Sequence, residues 1–102
     1  MLQALDGPSR QFQISINTTV PQELKRDALA LEERKVITLQ ALDGKVWIYF
    51  ADETETITAA NIIGKGFLHF RKGKETYEAA DTQKVYILAF SGTVDVRGAE
   101  RA

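Results

Sequence analysis

Val36-Ile37-Thr38-Leu39-Gln40-Ala41-Leu42 runs into Asp43-Gly44-Lys45 and on into Val46-Trp47-Ile48-Tyr49-Phe50. The first half alternates. Ile37, Leu39 and Ala41 fall on one face of an extended chain, Thr38 and Gln40 on the other, because successive side chains of a strand point to opposite faces. Asp43-Gly44 then offers a residue pair that readily accepts the positive φ of a tight hairpin. The second half is apolar at every position. A strand of that kind is covered on both faces, by a second sheet, by a loop or by another subunit. One hairpin thus joins a half-buried strand to a doubly buried one, the signature of a layered β architecture.

The same grammar extends in both directions. In 11–17, Phe12, Ile14 and Ile16 share one face, with Gln11, Gln13, Ser15 and Asn17 on the other. Val94 and Val96 alternate with Thr93, Asp95 and Arg97. Val85-Tyr86-Ile87-Leu88-Ala89-Phe90 repeats the doubly apolar pattern. Ser91-Gly92 precedes Val94, and Lys72-Gly73 separates Phe67-Leu68-His69-Phe70 from Glu75-Thr76-Tyr77. Short strands with turns at this spacing predict an all-β fold, a small antiparallel β-sandwich or jelly roll. The 102 residues suit one domain, read as a β domain over 11–102 preceded by an N-terminal arm over 1–10. A hydrophobic fraction of 44% beside 26% charged residues excludes disorder for most of the chain.

Residues 21–35 fit two templates. Leu24, Ala28 and Leu31 have helical spacing, and Pro21 suits a first helical turn. Ala28-Leu29-Ala30-Leu31 follows strand alternation only loosely, so the residues alone leave a short helix and an extended strand-and-loop both open. The hexamer Leu2-Gln3-Ala4-Leu5-Asp6-Gly7 recurs as Leu39-Gln40-Ala41-Leu42-Asp43-Gly44 with unmatched flanks, so it is not a domain-scale repeat. Its first copy is either an ordinary terminus or a strand added to a sheet edge, with Leu2 and Leu5 as anchoring candidates.

A formal net charge of -1 provides no long-range field for steering a nucleic acid or an anionic membrane, and neither partner is expected. The absence of Cys excludes disulfides, thiolate nucleophiles and cysteine metal sites. Residues 1–10 place Asp6, Gly7 and Pro8 where a signal peptide needs an apolar run, and charges break every later apolar stretch short of membrane length. Synthesis in the cytosol is the expectation.

His69 is the sole histidine and reads as a packed or surface residue between Leu68 and Phe70; one His without Cys does not make a usual zinc site. None of Ser9, Ser15 and Ser91 stands in a nucleophile elbow. Asp52, Glu53 and Glu55 lack the spacing of a calcium loop, and Arg71, Lys72 and Lys74 read as a solvated basic hairpin tip. No cofactor, no metal and no enzymatic activity are expected. Trp47, Tyr49, Tyr86 and Phe90 are the candidates for a protein interface, where such aromatics are enriched. Trp47, Tyr49, Tyr77 and Tyr86 could alternatively serve a carbohydrate-binding module as stacking platforms.

Arg34-Lys35, Ile37-Thr38-Leu39-Gln40 and Val46-Trp47-Ile48 are followed in order by Gly66-Phe67, Gly73-Lys74-Glu75-Thr76, Val85-Tyr86-Ile87-Leu88 and Ser91-Gly92-Thr93-Val94-Asp95-Val96-Arg97. This series, over residues 34–97, resembles small β-sandwich virion structural proteins of tailed bacteriophages, of the decoration, head-fibre, collar or tail-attachment type. It departs from that pattern at Ala41, where Asn is usual, and at Lys72-Gly73, where Pro-Gly is common. The resemblance implies a non-enzymatic virion component, made in the host cytoplasm, that assembles with other virion proteins and with copies of itself. It also implies an extended conformation before Arg34-Lys35, and so favours strand and loop over a helix in 21–35.

Overall fold

A computed structural model describes residues 9–25, 31–51, 54–69 and 73–102. Its elements are strands β1 (Ser9–Ile16), β2 (Gln22–Glu23), β3 (Val36–Ala41) and β4 (Val46–Ala51), helix α1 (Ala59–Lys65), then β5 (Phe67–His69), β6 (Glu75–Glu78), β7 (Lys84–Ala89) and β8 (Val94–Arg101). Two four-stranded sheets form, one ordered β1-β8-β3-β6 and the other β2-β7-β4-β5. Every pairing is antiparallel. The chain is a small β-sandwich with one short helix.

The alternation sets which face each residue occupies. From the first sheet, Ile16, Ile37, Leu39, Ala41, Val94 and Val96 turn inward. From the second, Leu24, Val46, Ile48, Val85, Ile87 and Ala89 meet them. Each fully buried aliphatic side chain of this kind contributes roughly 1.5–3 kcal/mol relative to exposure, so the stack between the sheets is the main source of stability. The turn at Asp43-Gly44 is not the hairpin that the sequence predicts: β3 and β4 lie in different sheets, as do β5 and β6 and also β7 and β8. Gly44 does not take a positive φ. These turns carry the chain across the sandwich, and the inward faces of the strands they join meet in one core. The first such crossing is at Asn17. Its carbonyl accepts from the Ala89 amide at 2.9 Å, while its side chain accepts from the amides of Thr19 and Val20 at 3.0 and 2.9 Å. An Asx-type turn of this sort satisfies the backbone where the ladder stops, and it delivers β2 to the opposite sheet.

Within 21–35 the described residues contain no helix. Gln22 and Glu23 pair with Ile87 and Tyr86, and a turn follows at Glu32-Glu33, with Glu33 at a φ of 60°. Leu24 and Leu31 are buried; Ala28 lies outside the described residues. The edge of β7 offers backbone partners that one apolar stripe on a short helix does not replace.

The helix instead occupies Ala59–Lys65. Thr58 caps it, its side chain accepting from the Asn61 amide at 3.2 Å, and the Asn61 side chain donates to the Thr56 carbonyl at 3.2 Å. The Gly66 amide closes the last turn on the Ile62 carbonyl at 2.7 Å. A Cβ at Gly66 would stand 2.6 Å from that carbonyl oxygen and 2.8 Å from the Ile48 carbonyl oxygen, both backbone atoms. Gly66→Ala is therefore expected to destabilise by about 1–3 kcal/mol, as overpacking does. Urea denaturation checks this, and an unchanged midpoint would contradict the close approach.

Candidate functional site

The doubly apolar strands are explained by α1. Register places Trp47 opposite Leu88 and Tyr49 opposite Tyr86 on the outer face of the second sheet, and α1 packs across β4 and β7. Ile62 of the helix and Leu88 of the sheet are both fully buried. The chain thus covers much of its own second apolar face. Of the four interface candidates, Trp47, Tyr49 and Tyr86 are half-buried, and Phe90 is 47% exposed. Trp47 packs against Phe90 with ring centroids 5.8 Å apart, and the Lys45 ammonium sits 5.3 Å above the Phe90 ring, a cation–π distance. The Tyr49 hydroxyl donates to the Glu55 carboxylate. Ile63 of α1 is 51% exposed, and Phe67 at the start of β5, opposite Ile48 and so on the core-facing side of that edge strand, is 70% exposed. Leu2 and Leu5 lie outside the described residues.

Tyr77 does not share that face. It stands edge-on to Phe50 at 5.8 Å on the core side of the sandwich, its hydroxyl 3.5 Å from His69 Nδ1. Burial, and then the nearby Glu75 charge, push its pKa above the ordinary tyrosine value. His69 is buried at 5% exposure, and its Nε2 has no hydrogen-bond partner among the described residues. Asp52, Glu53, Arg71 and Lys72 fall outside the described residues. Among the described residues no three His, Asp or Glu side chains converge on a metal position.

The sequence reading passed over a buried ion pair. Arg34 and Glu100 lie 3.0 Å apart with both side chains at 0% exposure. Arg34 Nε donates to the Ala79 carbonyl at 3.0 Å, and Nη2 to the carbonyls of Ala80 and Gln83 at 2.8 and 2.6 Å. Glu100 also accepts from the Leu31 amide at 2.9 Å. The signal was present in β8: alternation from Val94 and Val96, carried two steps further, places Gly98 and Glu100 inward.

The outer face of the first sheet is polar and concave, enclosing a trough of about 570 Å³. Gln11 and Gln13 come from β1, Thr38 and Gln40 from β3, Arg97, Ala99 and Arg101 from β8, and Lys74 from the approach to β6. Asp95 accepts from the Gln13 amide at 2.7 Å and from Arg97 Nη2 at 3.3 Å. The Gln13 hydrogen bond, with help from Arg97, holds its carboxyl below the usual carboxylate range, so it is ionised throughout the neutral range and fixes both neighbours.

No family model matches the chain, and no curated protein matches its sequence. Among solved structures it is similar to the crystal structure of PirA, with a TM-score of 0.56 at 10% identity over 90% of this chain and 93% of that one. At this identity the likeness is one of fold, and it agrees with the small β-sandwich. A second structure, from Bacillus endospore appendages described as disulfide-linked pili, covers 99% of this chain and 95% of that one at 14% identity, with a TM-score of 0.40.

Proposed function

We propose that the protein is a non-enzymatic structural component of a bacteriophage virion, assembling through protein–protein contacts on the head, collar or tail. The observation that carries this reading is the pair of large apolar side chains exposed on the outer side of the second sheet, Ile63 of α1 and Phe90 beside Trp47, at 51% and 47% exposure, with Phe67 at 70% on the adjoining edge strand β5. Ile63 belongs to the covering helix, Phe67 begins the edge strand β5, and Phe90 directly follows β7, where it is backed by the half-buried Trp47. Large apolar side chains left exposed next to anchored aromatics suit the centre of an interface, where Phe and Trp are enriched and charge is depleted. The covering partner is a second copy of the chain or a neighbouring virion protein. The resemblance over residues 34–97 supplies the class of particle.

Light scattering after size exclusion, together with co-sedimentation with particles of a phage that carries the gene, tests the reading. Phe67→Asp/Phe90→Asp is expected to stay folded and to be lost from the particles. A folded double variant that co-sediments as well as the parent chain would overturn the assignment of this surface. Absence of the parent chain from the particles would overturn the virion role itself. Because β1 begins at Ser9, a truncation that probes the N-terminal arm removes residues 1–7 and leaves the strand whole.

A further inference from the structure

We propose that the trough on the outer face of the first sheet is a binding site for a carboxylate-bearing oligosaccharide. The site lies on the opposite side of the sandwich from the apolar surface around α1, and it stands independently of the virion reading.

Its shape follows from one small residue. Ala99 sits mid-strand in β8, with Gln11 directly opposite on β1 and Thr38 directly opposite on β3. A methyl group among longer side chains leaves a floor, and Gln13, Gln40, Arg97 and Lys74 rise around it. The volume of about 570 Å³ lies in the range of ligand clefts. Gly98 supports the floor from below: its bare Cα lets the Phe12 ring pack against β8, in space that a Cβ would enter at 2.5 Å.

The chemistry selects the ligand class. Each Gln amide and the Thr38 hydroxyl is both donor and acceptor. Sugar hydroxyls are the same, so one face can satisfy several of them in turn. Lys74, Arg97 and Arg101 add three cations, and among the described residues no carboxylate lines the trough. Asp95, at its rim, holds Gln13 and Arg97 in place, while the Arg97 side chain keeps 55% of its surface open to solvent. Guanidinium groups bind carboxylates through paired, charge-assisted hydrogen bonds. An acidic peptide fits less well. The floor strand β8 is hydrogen-bonded on both sides, to β1 and to β3, so it has no free backbone edge of the kind an extended peptide pairs with.

The test is calorimetric titration of the full chain with tetrasaccharides of galacturonate, mannuronate and hyaluronan. A neutral galactose tetramer, hexaglutamate and inorganic sulfate serve as comparisons. At least one acidic tetrasaccharide is expected to bind saturably. Affinity should fall about tenfold or more in Lys74→Gln/Arg97→Gln and should stay unchanged in Trp47→Ala, whose ring lies on the other sheet. Circular dichroism verifies that both variants are folded. No binding by any of the three acidic sugars would overturn the proposal. So would equal binding of the neutral tetramer, or an affinity that the double substitution does not alter. Equal binding of hexaglutamate or sulfate would overturn it as well, leaving an unspecific anion site.

Discussion

Arg34→Met should remove about 3–5 kcal/mol from the folding free energy, the usual cost of breaking a buried ion pair from one side. A domain of this size has roughly 5–15 kcal/mol in total, so the variant is expected to be at the margin of folding. The reason lies in what the guanidinium joins. It holds the Ala79, Ala80 and Gln83 carbonyls, just before β7, and the Glu100 carboxylate near the end of β8. Through Glu100 it also fixes the Leu31 amide, ahead of β3. Removing Arg34 leaves a fully buried carboxylate with no counter-charge from Arg34. It also takes a donor from the carbonyls of Leu24, Ala79, Ala80 and Gln83, although Ala80 keeps the Gln83 amide, and an unmet buried polar group costs more than a met one contributes. Arg34→Lys should recover little, because one ammonium cannot reach the partners of a planar fork. In Arg34→Met/Glu100→Leu the stranded charge is gone, so the double variant should be less destabilised than the two single losses added together. Urea denaturation of the parent, Arg34→Met, Arg34→Lys, Glu100→Leu and the double variant measures this. A loss under about 1 kcal/mol for Arg34→Met would show that the pair does not knit these segments together.

The pair also marks where sequence reading stops. Alternation exposes a half-buried strand because one face must meet the core, so β1, β3 and β8 were legible in Phe12, Ile14 and Ile16, in Ile37, Leu39 and Ala41, and in Val94 and Val96. A charge facing inward carries no such local mark. Glu100 looks like any solvated acid until Arg34, 66 positions away, is placed beside it. The helix was hidden for a different reason. Seven residues with one buried side chain, Ile62, make too short a pattern to register, although its effect was visible in the doubly apolar β4 and β7 that it covers. The trough was hidden by ordinariness: Gln, Thr and Arg at alternate positions are what any solvated sheet face shows, and only the three-strand register sets Ala99 in a hollow among them.

Whether the chain itself, and not a partner, is the native cover of the second sheet's outer face decides how much surface is left for assembly. Leu88→Ala is expected to cost about 2–5 kcal/mol, and Ile62→Ala a similar amount, as for other large-to-small changes at buried sites. Both side chains are fully buried in the isolated chain, with α1 packed on the strand that carries Leu88. Their effects should therefore overlap, with a coupling energy of at least about 0.5 kcal/mol in a double-mutant cycle. Phe67→Ser and Phe90→Ser, at exposed positions, should each change stability by no more than about 0.5 kcal/mol. Strict additivity of Ile62→Ala and Leu88→Ala, with neither above about 1 kcal/mol, would mean that α1 does not seal the face and that a partner must. Coupled losses at Ile62 and Leu88, beside neutral changes at Phe67 and Phe90, would divide the apolar surface of the second sheet and its edge in two. One part is closed by the chain on folding, and the other is left open, its side chains contributing little to stability and so free to serve contact with another molecule.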